Sequence, residues 1–166
     1  MKILFDSDAL FALTIETDIH HQNSVKQLNR SKQQNAQFYI SNLIIQECAT
    51  LISNKKNHQK AIEFVNYIQQ LDIHKIIVDQ SLEQKTWHIF KQQTKKRTSF
   101  IDCSNIAIYK HYKMDAIFGF DQIYKKNKIK THADALLDKN RWVVVPLPPE
   151  IFFFFFFFFF FFFFFF

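Results

Sequence analysis

The feature that most limits the fold is a set of short apolar runs that do not alternate with polar residues. Ile3-Leu4-Phe5, Phe38-Tyr39-Ile40, Ile76-Ile77-Val78, Ala116 to Phe120 and Trp142 to Val145 are each a few residues long, and longer segments of helical character separate them. A strand with one wet face alternates apolar and polar positions, whereas consecutive apolar positions mean cover on both faces. Such strands interleaved with helices predict the α/β class, a three-layer α/β/α sandwich around a parallel sheet of about five strands. Helices are expected over 9–15, 23–33, from Ser41-Asn42 to about Ser53, and over 58–71, 81–93 and 99–112. Ser41 and Asn42 suit an N-cap, and Ile62, Val65, Ile68 and Leu71 recur at helical spacing. A short lysine-rich turn is expected after Asp121, and Pro146, Pro148 and Pro149 stop the last strand. Sheets of this type bind ligands outside the carboxyl ends of their strands, where Asp6 and Asp121 fall.

Residues 152–166 are fifteen consecutive phenylalanines. The run is shorter than the ~20 residues of a membrane span, and it is neither N-terminal nor preceded by the charged region of a signal peptide. It is read as an artefact, leaving one domain over residues 1–150 and a tail over 151–166. Without the run the hydrophobic fraction falls from 48% to roughly 43%, ordinary for a globular domain. The net charge of +6 suits an anionic partner. Cys48 and Cys103 lie in apolar helical contexts without CxxC spacing, so buried thiols are expected. The histidines lack metal-ligand spacing, which argues against zinc, and His20-His21 is expected at the surface. Trp87 is expected to pack beside Leu82 and Phe90. Leu10, Leu13 and Ile15 suit either the core or a dimer face. With no signal peptide and no other long apolar run, a cytoplasmic protein with no membrane partner is expected.

Four acids stand out. At ~100° per residue, Glu47 falls between Leu43 and Leu51, inside the apolar arc of its helix, and Asp102 falls between Tyr109 and Ile106. A buried carboxylate costs several kcal/mol unless it is paired or metal-bound. A salt bridge would serve Glu47 equally well, and Ser99-x-x-Asp102 has the form of a capping box. Asp6 and Asp121 follow apolar strands and precede helices, which also fits turn or N-cap chemistry; Asp8 looks the better cap for the first helix. Together the four acids can converge on one crevice, where they would repel strongly unless a cation neutralised them. Ligation by oxygen alone favours Mg²⁺ or Mn²⁺, and such an ion suits attack of water on a phosphodiester. Lys95, Lys96 and Arg97 before the Asp102 helix, and Lys125, Lys126, Lys128 and Lys130 after Asp121, are candidate RNA contacts or simply solvated charge.

The segments ILFDSDALFALTIETDIHH, SNLIIQECATLIS and TSFIDCSNIAIYKHYKMDAIFGFDQIY, with the closing strand, resemble the PIN-domain family, and within it the VapC-type toxins of bacterial toxin–antitoxin pairs. The likeness spans residues 2 to about 146. It implies that Asp6, Glu47, Asp102 and Asp121 are both catalytic and metal-holding, that Asp8 is an extra ligand or supports one, and that Ser99 is a hydroxyl residue behind them. It further implies sheet order 3-2-1-4-5, Mg²⁺- or Mn²⁺-dependent endoribonuclease activity leaving 5′-phosphate and 3′-hydroxyl ends, a homodimer, and, for the toxin branch, a small antitoxin partner. Two rivals stand beside it. A PIN fold could bind RNA or protein without cutting, although all four acids are retained. Asp6-Ser7-Asp8 also resembles the opening of haloacid-dehalogenase-like phosphatases, but Ala9-Leu10 follow and Glu47 has no role in that scheme.

Overall fold

The computed structural model describes residues 1–94, 96 and 98–137. In chain order the elements are β1 (Lys2–Phe5), α1 (Ser7–Thr14), α2 (His21–Gln33), β2 (Gln37–Ser41), α3 (Asn42–Lys55), α4 (His58–Gln70), β3 (His74–Ile76), α5 (Gln80–Lys91), α6 (Phe100–Tyr112), β4 (Ala116–Phe118), α7 (Gln122–Lys126) and α8 (His132–Leu137). The strands form one parallel sheet in the order β3-β2-β1-β4, with Ile3 beside Phe38 on one side and Ala116 on the other. The α/β architecture and this order agree with the sequence reading. The fifth strand expected at Trp142–Val145 and the phenylalanine tail lie outside the described residues.

Burial of both faces explains why the strands do not alternate. Ile3, Phe5, Ile40 and Phe118 pack on one face with α1, α3 and α4 through Leu10, Ile44, Ile52, Phe64 and Ile68. Leu4 and Ile117 pack on the other face with α5, α6 and α7 through Leu82, Ile89, Ile106 and Ile123. The chain moves outward from β1 to β3, then returns to place β4 on the opposite side of β1. The carboxyl ends of β1 and β4 therefore form a topological switch point, which opens a crevice.

Several local expectations need correction. Ile62 is 41% exposed, because Ala61, Phe64 and Ile68 form the buried stripe of α4. Of the two roles open to Leu10 and Ile15, core or dimer face, burial assigns them to the core. The residues after Asp121 form α7 rather than a turn, since Ile123 and Tyr124 anchor a helical face into the core. Trp87 does pack against Phe90 and Phe100, yet it stays half exposed.

One polar cluster ties α2 to α8. His132 is buried, stacks on Phe118 at 4.5 Å, bonds through Nδ1 to Gln27 at 2.9 Å, and contacts Ser31 Oγ through Nε2. Burial lowers its pKa to about 4. An unfolded imidazole titrates near 6.5, so between those values the unfolded chain binds a proton that the folded chain does not. The stability from His132 is complete above pH ~6.5 and is lost as pH falls toward 4, by about 3 kcal/mol at 1.36 kcal/mol per unit. Urea unfolding across this range should show a steeper acid-side loss for the wild type than for His132→Phe; parallel curves would refute this account.

Candidate active site

Asp6 sits where β1 passes into α1 without an intervening loop. Its amide donates to Phe118 O at 2.9 Å, so pairing with β4 continues to the edge of the crevice. The free amide of Ser7 then faces back and donates to Asp6 Oδ1 at 2.7 Å. Asp6 is thus the N-cap of α1, not Asp8 as expected, because the helix begins directly after the strand. The same Oδ1 accepts from Asn105 Nδ2 at 3.0 Å, and Oδ2 accepts from the Tyr124 hydroxyl at 2.6 Å. Asn105 also donates to Tyr124 Oη at 3.1 Å. The carboxyl is almost fully buried; burial, then the charge of Asp8, push its pKa well up, against the bonds from Tyr124 and Ser7.

Asp8 lies in the first turn of α1, and its Oδ2 accepts from the Phe120 amide at 2.8 Å. Its Oδ1 is buried with no hydrogen-bond partner, as is Asn105 Oδ1. Burial and the charge of Asp121 raise the Asp8 pKa to about 6, against the pull of the Phe120 amide and His20. Asp102 completes the capping box of α6: Ser99 Oγ accepts from Ile101 N at 3.0 Å, and Asp102 Oδ2 accepts from Ser99 N at 3.2 Å. Ser99 therefore holds Asp102 in place. The Asp102 pKa is also raised to about 6, by burial first and then by Asp121, with Glu47 and Asp8 adding to it. Asp121 is exposed and caps α7 by accepting from Ile123 N at 2.7 Å. Glu47 is half buried on α3, near enough to raise both Asp102 and the neighbouring Cys48.

The five acids predicted from sequence are thus linked by charge across the switch point, Asp6 to Asp8 and Asp102, Asp8 to Asp121, and Asp102 to Asp121, Glu47 and Asp8, and among the described residues none is ion-paired to a lysine or arginine. They are not drawn round a common centre: among the described residues, no three His, Cys, Asp or Glu side chains are grouped closely enough to hold an ion as they stand. The donor set nevertheless suits a hard divalent cation, since it is all oxygen and two buried oxygens lack partners. Lys96, Lys125 and Lys126 are exposed, and Lys125 lies within electrostatic reach of Asp134; Lys95 and Arg97 lie outside the described residues. Both cysteines are free and buried, and burial pushes the thiol of Cys48 up to about 12 and that of Cys103 to about 11.

Three site residues went unread in the sequence. Asn105 and Tyr124 each follow an acid by three positions, the spacing that puts two side chains on one helix face. Gly119 is the only glycine in the chain and stands one residue before Phe120-Asp121. A Cβ there would lie 2.8 Å from Asp6 Cβ, 2.9 Å from Asp6 Oδ2 and 3.2 Å from Asp8 Oδ1. Only glycine leaves room for both carboxylates.

Comparisons with known proteins agree with this fold. VapC20 of Mycobacterium tuberculosis, a sarcin-ricin loop cleaving toxin, superposes with a TM-score of 0.67 at 18% identity, over 76% of this chain and 95% of its own. VapBC2 from Rickettsia felis, bound to a DNA fragment from their promoter, superposes at 0.54 with 10% identity, over 76% and 92%. At these identities the likeness is one of fold. No curated protein matches in sequence. The profile of the PIN domain matches residues 3–130, which takes in all of the described sheet but Lys2 and every acid of the crevice, and on that match the chain belongs to the PIN domain family.

Proposed function

We propose that the protein is a metal-dependent endoribonuclease and the toxin of a toxin–antitoxin pair. The observation that carries the reading is the gathering of Asp6, Asp8, Glu47, Asp102 and Asp121 at the switch point without a lysine or arginine to neutralise them among the described residues. Proteins do not leave several carboxylates together in a partly buried crevice without a use for the charge. Membership of the PIN family and the fold shared with VapC20 support the nuclease and toxin assignments. An antitoxin partner, a homodimer and a cytoplasmic setting belong to the same reading.

Asp6, Glu47, Asp102 and Asp121, with Asp8, would hold Mg²⁺ or Mn²⁺, which when bound supplies an acidified water and offsets charge on a phosphodiester in transit. The chain itself does the positioning. Asn105 and Tyr124 fix both oxygens of Asp6 from α6 and α7, so the carboxylate faces the crevice in one orientation. The Tyr124 hydroxyl stays protonated, because burial and the nearby acids raise its pKa. Gly119 keeps Asp6 and Asp8 side by side. Lys96, Lys125 and Lys126 supply positive potential toward which an RNA backbone is drawn.

A second reading, a PIN fold that binds without cutting, draws on the absence among the described residues of three acids already grouped for an ion. Cleavage assays separate the two. The wild type should cut RNA with Mg²⁺ or Mn²⁺, leaving 5′-phosphate ends, and should lose activity in EDTA or as Asp6→Asn. Undiminished cutting in either control would reject the metal scheme, and an inert wild type that binds RNA would favour the second reading.

Two further outcomes follow from the geometry. Gly119→Ala should fold but cut RNA at least tenfold more slowly, and Tyr124→Phe should weaken Mn²⁺ binding about 10–100-fold, the usual scale for groups that orient ligands; calorimetry and single-turnover rates would show both. The raised pKa values of Asp8 and Asp102 mean that the contribution of these two groups to the stability of the bare protein grows as pH falls through about 6 and shrinks as pH rises, opposite in sign to that of His132. Mn²⁺ needs the ionised forms. The rise in Tm on adding Mn²⁺ should therefore be large at pH 7.5 and nearly absent at pH 5; an equal rise at both would place the ion elsewhere.

A further inference from the structure

The loop from Ile15 to His20 joins α1 to α2 and lies beside the acids. It is a built turn: Asp18 N donates to Ile15 O at 2.9 Å, His21 N to Asp18 O at 3.0 Å, and His20 N to Asp18 Oδ1 at 2.8 Å. This turn holds Ile19 at 89% exposure and sets the exposed His20 ring on Phe120, with centroids 4.4 Å apart and planes 22° from parallel. Phe120 is fastened in turn to the crevice, because its amide donates to Asp8 Oδ2 and it lies between Gly119 and Asp121. The outer edge of the crevice therefore carries a flat aromatic stack with an unpartnered aliphatic side chain beside it. Neither Ile19 nor the outer face of His20 is covered by the rest of the described chain.

We propose that His20, backed by Phe120 and flanked by Ile19, is a stacking platform for one unpaired nucleobase of the RNA whose backbone enters the acidic crevice. The inference rests on the nuclease reading and adds a substrate requirement to it. An exposed flat ring matches the face of a base, and every base has such a face. An imidazole also tolerates a neighbouring phosphate, as the basic chain does overall. Bases inside a duplex cannot reach the platform, so the substrate would be a loop, bulge or single strand.

The test is equilibrium binding by the full chain in EDTA, where cleavage does not interfere, of short single-stranded RNAs carrying fluorescent aminopurine at each position in turn. The wild type should quench one position. His20→Ala should lose that quenching and weaken Kd about tenfold, the scale of one base–aromatic stack; Ile19→Ala should lose less, and His20→Phe should recover both. With Mg²⁺ present, His20→Ala should raise KM and leave kcat nearly unchanged. Unaltered quenching and KM in His20→Ala, equal binding of a duplex, or quenching lost in Trp87→Ala instead would overturn the platform while cleavage by the wild type keeps the nuclease reading intact. A wild type that neither binds nor cuts RNA would overturn both. If His20→Ala abolished binding of a partner protein and not of RNA, the surface would be a protein interface and the platform refuted.

Discussion

The buried carboxylate of Asp6 organises this molecule. An acid at 3% exposure in an α/β core is tolerated only when both oxygens are hydrogen-bonded, and here the donors come from three separate elements: the start of α1, the middle of α6 and α7. The end of β1, the helix that follows it and two helices of the opposite layer are thereby fixed relative to one another. No donor in the set is charged, so Asp6 is held without a counter-ion among these partners. Neutral donors alone hold the carboxyl, which is what separates this arrangement from a buried salt bridge.

The remaining acids follow from the sheet. With β4 returning to the far side of β1, the two strand ends that carry Asp6 and Asp121 become neighbours, and α3 and α6 bring Glu47 and Asp102 to the same opening. Three of the acids also have an ordinary structural duty: Asp6, Asp102 and Asp121 each cap a helix. Capping and charge concentration need not compete. A helix N-terminus favours an anion, so the caps are places where acids can accumulate at little cost to the fold.

The layering was legible because burial on both faces leaves a pattern that local sequence reveals: Leu4 and Ile3 are both apolar since each faces a helix layer; the strand order came only with the resemblance to the PIN family. The acids were legible as misplaced polar residues on apolar arcs and at strand ends. What stayed hidden depends on distance along the chain. The choice between Asp6 and Asp8 as cap turns on whether a loop intervenes after β1, and period counting cannot show that. Asn105 and Tyr124 are unremarkable in their own helices and gain meaning only through contact with a carboxylate about a hundred residues earlier. Gly119 matters for the atoms opposite it rather than for its backbone. The exposure of Ile62 reflects a helix turned by packing against α3, a rotation that spacing alone leaves undetermined.

The two thiols have a consequence for chemistry at the crevice. Cys48 follows Glu47 directly and Cys103 follows Asp102, so sulfur is carried within one residue of two of the acids. Burial and the surrounding negative charge keep both in the neutral SH form, which is a poor ligand and a poor nucleophile. The acids therefore turn hard oxygen toward the crevice while the neighbouring sulfurs are turned into the two core layers on either side of the sheet.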